Sequence, residues 1–237
     1  MGGRVLITRP EPGAVQTATR LRAFGWKPVC LPLTEISPLP AELSAGCKFD
    51  AVAIPSANAI RHARPALLRA LADLPVFAVG QRTAEAATEA GLAVCMVGPG
   101  DGQGLASLMA PGLARGSRVV YLCGRVRTRG FEATLHAAGI EVIAVETYDT
   151  AVLHYSDEEL RTALGGEAFD AVLIYSRVAA IAFAGLTDRS VMLPLLTEGV
   201  FVCMSQRVAE PLLPNCEGQV RIAATPDEEA MLARLAG

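Results

Sequence analysis

The chain has 237 residues, which suits two domains of ordinary size, and 51% of them are hydrophobic, enough for a core in each. A formal net charge of -3 argues against a general nucleic-acid binder, and no run of like charge marks an interaction tail. No stretch approaches the ~20 apolar residues that span a bilayer, so neither a nucleic acid nor a membrane is expected as a partner.

In chain order, Val5 to Thr8 is a short apolar run ending in Arg9-Pro10. Pro12-Gly13 opens an amphipathic helix whose apolar positions are Ala14, Ala18, Leu21 and Phe24, and Gly25 stops it. Val29 to Leu33 is the next strand, which makes a strand-helix-strand unit and predicts a parallel sheet. Thr34 to Pro40 is proline-marked and reads as an extended linker. Ala51 to Ile54 is a buried strand, followed by a cap at Ser56-Ala57-Asn58 and a helix toward Arg64. Val76 to Val79 is a strand, and Gly80-Gln81-Arg82-Thr83 opens the next helix. Ala93 to Val97 is another strand, and a glycine-rich loop from Gly98 to Gly102 precedes a helix near Leu105 to Met109. Val119 to Leu122 is a strand with a loop from Gly124 to Arg129. Ile140 to Val145 is a strand, and Glu146 to Val152 is extended again.

These blocks form two passes of one pattern. Arg4-Val5-Leu6-Ile7, Phe24-Gly25 and Val29 recur without a gap as Arg118-Val119-Val120-Tyr121, Ala138-Gly139 and Ile143. Phe49 to Ser56 recurs as Phe169 to Ser176, and Gln81-Arg82-Thr83-Ala84-Glu85 as Gln206-Arg207-Val208-Ala209-Glu210. A duplicated α/β unit predicts two similar parallel-sheet domains with a ligand cleft between them. The extended segments 34–40 and 146–153 hold equivalent places and are expected to pair as a two-stranded linker. Residues 1–35 then share a discontinuous domain with 152–237, and 37–149 form the other.

Arg4 opens the first strand with no leader-like segment before it. Cys30, Cys47, Cys95, Cys123, Cys203 and Cys216 form no CxxC pair and lie mostly in apolar runs. The expectation is reduced, buried thiols in a cytoplasmic protein, with no disulfide framework. Nothing suggests an obligate partner, so a monomer is expected.

The three histidines are scattered, and no paired Cys/His spacing suggests a metal site. There is no GxSxG elbow, no GxxxxGK[ST] loop and no GxGxxG after the first strand. A ring of polar residues remains, each group just after a strand. They are Thr8-Arg9, Ser56-Ala57-Asn58, Gly80-Gln81-Arg82-Thr83, Gly124-Arg125 with Arg127 and Arg129, Ser176-Arg177, and Ser205-Gln206-Arg207. Ligands of open parallel sheets bind at this edge, and helix starts attract anions. Capping alone also explains Ser, Thr and Asn at helix starts; recurrence in both passes is the stronger signal.

At these residues the chain resembles the uroporphyrinogen-III synthase family. The matching pieces are Leu6-Ile7-Thr8-Arg9-Pro10, Pro55-Ser56-Ala57-Asn58-Ala59, Ala78-Val79-Gly80-Gln81-Arg82-Thr83-Ala84, Val145-Glu146-Thr147-Tyr148-Asp149-Thr150 and Tyr175-Ser176. They cover almost the whole chain in the family's order. The chain departs at Pro55, where threonine is common, at Met204-Ser205 and at Val208.

The resemblance implies two flavodoxin-like α/β domains joined by a two-stranded connection. It implies a lyase that converts hydroxymethylbilane, a linear tetrapyrrole with eight carboxylates, to uroporphyrinogen III. Ring D is inverted through a spiro intermediate, water is lost, and no cofactor is used. Tyr148 matches the family tyrosine given the role of hydrogen-bond donor or general acid. Helix-start amides are expected to receive the carboxylates, with Arg9, Arg82, Arg125, Arg129, Arg177 and Arg207 as candidate partners and Arg125 first among them. A transient contact with the upstream hydroxymethylbilane-forming enzyme is a further possible partner. The rival reading is a non-catalytic two-lobed binding protein for an anionic small molecule.

Overall fold

Apolar runs of four residues, buried on both faces, set the architecture. The computed structural model describes residues 2–43, 46–216 and 219–235. Its strands are β1 Arg4–Ile7, β2 Lys27–Cys30, β3 Thr34–Pro38, β4 Ala51–Ile54, β5 Val76–Ala78, β6 Val94–Val97, β7 Arg118–Gly124, β8 Glu141–Val152, β9 Ala171–Ile174, β10 Val200–Cys203 and β11 Val220–Ile222. They form two sheets, ordered β11-β10-β9-β1-β2 and β3-β8-β7-β4-β5-β6. The chain divides into two compact units, Met1–Glu35 with Ala151–Gly237, and Ile36–Thr150.

Each unit contains the same five-strand order. Taking β1, β2, β9, β10 and β11 as strands one to five gives 2-1-3-4-5 in space, and β7, β8, β4, β5 and β6 give it again. This is the flavodoxin-like order, whose ligand site lies where the strand order reverses. The pairings within these five-strand sets are parallel, as the strand-helix-strand pattern predicts. The reversal falls between β1 and β9 in the first unit and between β7 and β4 in the second.

Strand faces alternate as a pleat requires. In the first unit Leu6, Val172, Ile174 and Phe201 pack in one core, and Val5, Ile7, Leu173 and Val202 in the opposite one. In the second, Val52, Ile54, Val120 and Leu122 face one core, and Ala51, Ala53, Val119 and Tyr121 the other. The repeat extends to helix ends. Gly25 and Gly139 have φ of 81° and 78°, conformations that glycine adopts without a Cβ penalty. In both, the next residue's N–H returns to a carbonyl five residues back, Trp26 to Leu21 and Ile140 to Leu135, each at 3.0 Å.

Several boundaries differ from the sequence reading. The segment expected to pair as one strand of the linker is hydrogen-bonded over Thr34–Pro38, and Glu141–Val152 is one continuous strand instead of a strand plus an extended tail. Leu39 N–H donates to Thr147 O, and Leu153 N–H to Leu33 O. The residue numbers of these pairs converge from opposite directions, the mark of antiparallel pairing. Proline-free Glu141–Val152 offers donors along its length, so β3 gains partners despite its terminal Pro38. The second strand begins at Lys27 and ends at Cys30. Phe24 is 71% exposed, because the helix Gly13–Ala23 has already closed at this position. Cys95 is exposed, while Cys30 and Cys47 are half-buried, so burial of the thiols holds for Cys123 and Cys203. The Cys216 side chain lies outside the described residues.

The helix Asp157–Leu164 carries a complete capping box: Ser156 accepts from Glu159 N–H, and the Glu159 carboxylate accepts from Ser156 N–H. Ser156→Ala is expected to lower stability by about 1 kcal/mol, read as a drop in urea midpoint at unchanged slope. An unchanged midpoint would mean that packing of Leu160 and Leu164 alone holds this helix.

Candidate active site

The second unit's reversal point is built from the ends of β7 and β4 and from the middle of β8. Gly124 ends β7. β7 and β8 pair in step from Arg118 opposite Glu141 to Cys123 opposite Glu146, and then slip so that Gly124 faces Tyr148. A Cβ on Gly124 would stand 2.7 Å from Tyr148 Cε2 and Cζ and 3.0 Å from its hydroxyl. β4 ends at Ile54, and Ser56 caps the helix Ala57–Arg61 by accepting from Asn58 N–H at 3.2 Å. The Thr147 hydroxyl donates to Ala59 O at 3.0 Å. The His62 ring lies 6.0 Å from that of Tyr148.

Electrostatics keep this cluster in neutral forms. Burial pushes the Tyr148 phenol above its ordinary value, with an opposing pull from the Ser56 hydroxyl. Burial and the neighbouring Arg61 charge lower His62, so its imidazole is neutral at pH 7. Cys123, pushed up to about 12 by burial, is an inert thiol. Tyr148 therefore keeps its O–H proton at this reversal point.

Arginines ring the same rim, and two of them, Arg125 and Arg127, are already paired. Arg125 bonds Asp149 Oδ2 at 2.9 Å and Glu146 Oε2 at 3.2 Å, though its side chain is 55% exposed. Arg127 bonds Glu132 at 2.9 Å and Glu146 at 2.8 Å, and also donates to the carbonyls of Gly124 and Arg125. These bonds hold Glu146 below the usual carboxylate range, Arg127 contributing most. Arg82 and Arg129 are exposed and without an ion-pair partner among the described residues.

Neighbouring β5 leads to Gly80, which heads the helix Gln81–Glu89 without a side-chain cap. The N–H groups of Gln81 and Arg82 thus stand at a helix start with no intrahelical acceptor. Thr83 is buried in that helix.

The first unit treats the equivalent place differently. Thr8 is fully buried, and its hydroxyl donates to Leu173 O at 2.8 Å, tying β1 to β9. Arg9 stacks 4.5 Å over the Tyr175 ring and bonds Glu228 at 2.9 Å. Glu228 is 5% exposed and also accepts from Thr17, Tyr175 and Arg20. Side chains of the unit's own helices fill this reversal point. Ser176 caps Ala179 N–H at 3.1 Å, and exposed Arg177 lies 3.7 Å from Glu210. Ser205 heads the short helix Gln206–Ala209 with no side-chain cap bond, and exposed Arg207 has no ion-pair partner among the described residues.

The sequence candidates therefore sort by unit. Ser56, Ala57, Asn58, Gly124, Arg125 and Tyr148 come together at one reversal point, with Gly80, Gln81 and Arg82 at the next strand end. Thr8 and Arg9 are engaged inside the first unit, which leaves them little to offer a ligand. Sequence reasoning passed over His62, Thr147, Glu132, Glu146 and Asp149. The acidic residues were legible only as partners awaiting the arginines five to twenty-four positions away.

The family model described as uroporphyrinogen-III synthase HemD matches residues 15–233. No curated protein sequence matches the chain. Among solved structures, the chain is similar to uroporphyrinogen-III synthetase from Helicobacter pylori, at 19% identity and TM-score 0.70, covering 100% of this chain and 99% of that one. It is also similar to a mutant uroporphyrinogen III synthase from Thermus thermophilus, at 18% identity and TM-score 0.61, covering 99% of this chain and 98% of that one. At these identities the structural likeness speaks for the fold, while the family match speaks for membership. Among the described residues no helix is long and apolar enough to cross a membrane.

Proposed function

From the premise that the chain belongs to the uroporphyrinogen-III synthase family, we propose how its second-unit rim performs the family's reaction. The chain is an enzyme of tetrapyrrole synthesis: it cyclises hydroxymethylbilane to uroporphyrinogen III, and no observation favours a non-catalytic binding protein. The reaction is a hydro-lyase elimination with ring closure. The pyrrole nitrogen of ring A pushes out the hydroxymethyl oxygen, a C–O bond breaks, and water departs with one added proton. The azafulvene left behind is attacked by the ring D carbon that already carries the link to ring C, giving the spiro intermediate. The old link to ring C then breaks, and its carbon is captured by the free α-carbon of ring D. The proton lost from that α-carbon balances the one taken up by the departing water.

Electrons come from the substrate, so the reaction as proposed uses neither metal nor redox cofactor. The protein's task is to hold a flexible octa-acid so that ring D closes by the inverting route rather than by direct closure. Tyr148 carries the chemical role. Its phenol, protonated at neutral pH and placed at a strand-order reversal, donates a hydrogen bond to the departing hydroxyl. A phenol with a raised pKa is a poor full proton donor, so hydrogen-bond donation fits better than a full transfer that leaves a tyrosinate. The placement of this neutral O–H beside Ser56 and Gly124 is the observation that carries the assignment.

Substrate contacts are assigned to Ser56, Ala57, Asn58, Gly80, Gln81, Arg82, Thr83, Gly124, Arg125 and Arg129. Further contacts are assigned to Ser176, Arg177, Ser205, Gln206 and Arg207. Uncapped amides at Gln81 and Arg82, and the guanidinium groups of Arg82, Arg129 and Arg207, which have no ion-pair partner among the described residues, suit carboxylates. Arg125 would exchange its exposed bond to Asp149 for a substrate carboxylate. Because hydroxymethylbilane closes spontaneously, direct hand-over from the enzyme that makes it, through a transient contact, belongs to the same proposal.

The isomer assay tests this reading. Purified protein, dialysed against chelator, is given hydroxymethylbilane, and the products are separated as isomers I and III. Dominant isomer III at undiminished rate is expected. Spontaneous isomer I alone would overturn the function, and rescue by added metal would overturn cofactor independence. A pH profile adds a second check. The Tyr148 O–H persists until pH passes its raised value, so this group should cause no loss of turnover below about pH 10. An alkaline limb centred near pH 8 would assign the proton donor elsewhere.

A further inference from the structure

The slip between β7 and β8 decides which way Tyr148 points. Alternate residues of a strand face opposite sides. Ile143 and Val145 pack in the core that also holds Ala59 and Ile60. Thr147 continues that face, with its hydroxyl on Ala59 O. Simple alternation would send Tyr148 to the other face, toward Cys123 and Phe131. The register change inserts Thr147 as an extra residue opposite β7, and Tyr148 joins the same face as its predecessor. Its ring packs against the core that holds Ala59, Ile60 and Val145 and lies beside His62.

Gly124 supplies the other half. Its φ is not positive, so the backbone itself does not call for glycine. The demand comes from the phenol, which fills the volume where a Cβ would stand, 2.7 Å from Cε2 and Cζ. At the corresponding places of the first pass stand Pro10 and Thr34, so the first pass carries no matching glycine and tyrosine.

We propose that Gly124 and Thr147 are positioning residues for Tyr148: the extra residue turns the phenol toward the helix Ala57–Arg61, and the missing side chain gives it room at the reversal point. This inference rests on Tyr148 as the donor in ring closure. Gly124→Ala makes the ring leave its place, a movement open to a side chain at the rim. Thr147→Val removes the hydroxyl that fastens the slip, and Thr147→Ser keeps it.

The test combines kinetics with ring-13C tyrosine labelling, the Tyr148 resonance being assigned by its loss in Tyr148→Phe. Gly124→Ala is expected to lower kcat about 100-fold with KM changed by less than about threefold, and to shift the Tyr148 resonance. Gly124→Ala combined with Tyr148→Phe should be no slower than Tyr148→Phe alone. Thr147→Val should move the resonance and lower kcat, and Thr147→Ser should restore both. A Gly124→Ala enzyme with wild-type kcat and an unmoved resonance overturns the proposal. Should Tyr148→Phe itself keep full activity, the donor assignment falls, while the resonance in Gly124→Ala and Thr147→Val still decides the seat: unmoved, it is refuted.

Discussion

Tyr148→Phe is expected to lower turnover about 100-fold while leaving fold and KM nearly unchanged. Phenylalanine keeps the ring that packs beside His62 and over Gly124 and removes only the hydroxyl. What is lost is the proposed hydrogen bond to the departing oxygen, an interaction that would strengthen only as the C–O bond breaks. A loss confined to the transition state appears in kcat. The product should change too. Once the catalysed route slows, spontaneous closure competes, and isomer I should rise at the expense of isomer III. Full retention of rate and isomer ratio would remove Tyr148 from the chemistry and leave the rim with a binding role alone.

Glu228→Ala is expected to cost about 3–5 kcal/mol of the first unit's stability, measured by urea unfolding. The Glu228 carboxylate, 5% exposed, accepts bonds from Arg9 at 2.9 Å, Arg20 at 2.6 Å, Tyr175 at 3.1 Å and Thr17. Alanine leaves the half-buried Arg9 guanidinium without its counter-charge and leaves the Thr17 and Tyr175 hydroxyls, 3.4 Å apart, to pair with each other. Arg20 can turn to water, so most of the cost falls on Arg9. Burial alone would raise the Glu228 pKa, but Thr17, Arg9, Tyr175 and Arg20 outweigh it, and the net direction is down. A lowered folded pKa means stability present above the unfolded value near 4.3 and lost as pH falls through the folded one. Wild type should therefore lose stability more steeply than Glu228→Ala below about pH 4. A loss under about 1 kcal/mol, or identical acid profiles, would mean that the network is only surface decoration.

Much of the fold was legible in the residues. The two ordered passes signal two parallel sheets, and Gly25 and Gly139 mark the same helix stop twice. The paired extended segments around Thr34 and Thr147 anticipate the antiparallel bonds between β3 and β8. The candidate site was legible in composition but not in placement. Thr8 and Ser176 look alike as polar residues after strands, yet one is sealed under Leu173 and the other caps an open helix start. That difference depends on strand neighbours more than 160 positions away. Arg125 reads as a free cation until Glu146 and Asp149 arrive from β8. The slip at Thr147 has no composition of its own; register is a property of two strands together. Glu228, near the end of the chain, gives no local hint that it closes a network begun at Arg9.

The site assignment can be tested by amide NMR shifts as uroporphyrinogen III, kept reduced, is titrated into the protein. The largest shifts are expected at Asn58, Gln81, Arg82, Gly124, Arg125 and Tyr148, with Thr8 and Thr17 nearly still. Saturable binding that leaves the Gly124 and Tyr148 amides unmoved while others shift would place ring closure elsewhere and contradict the account.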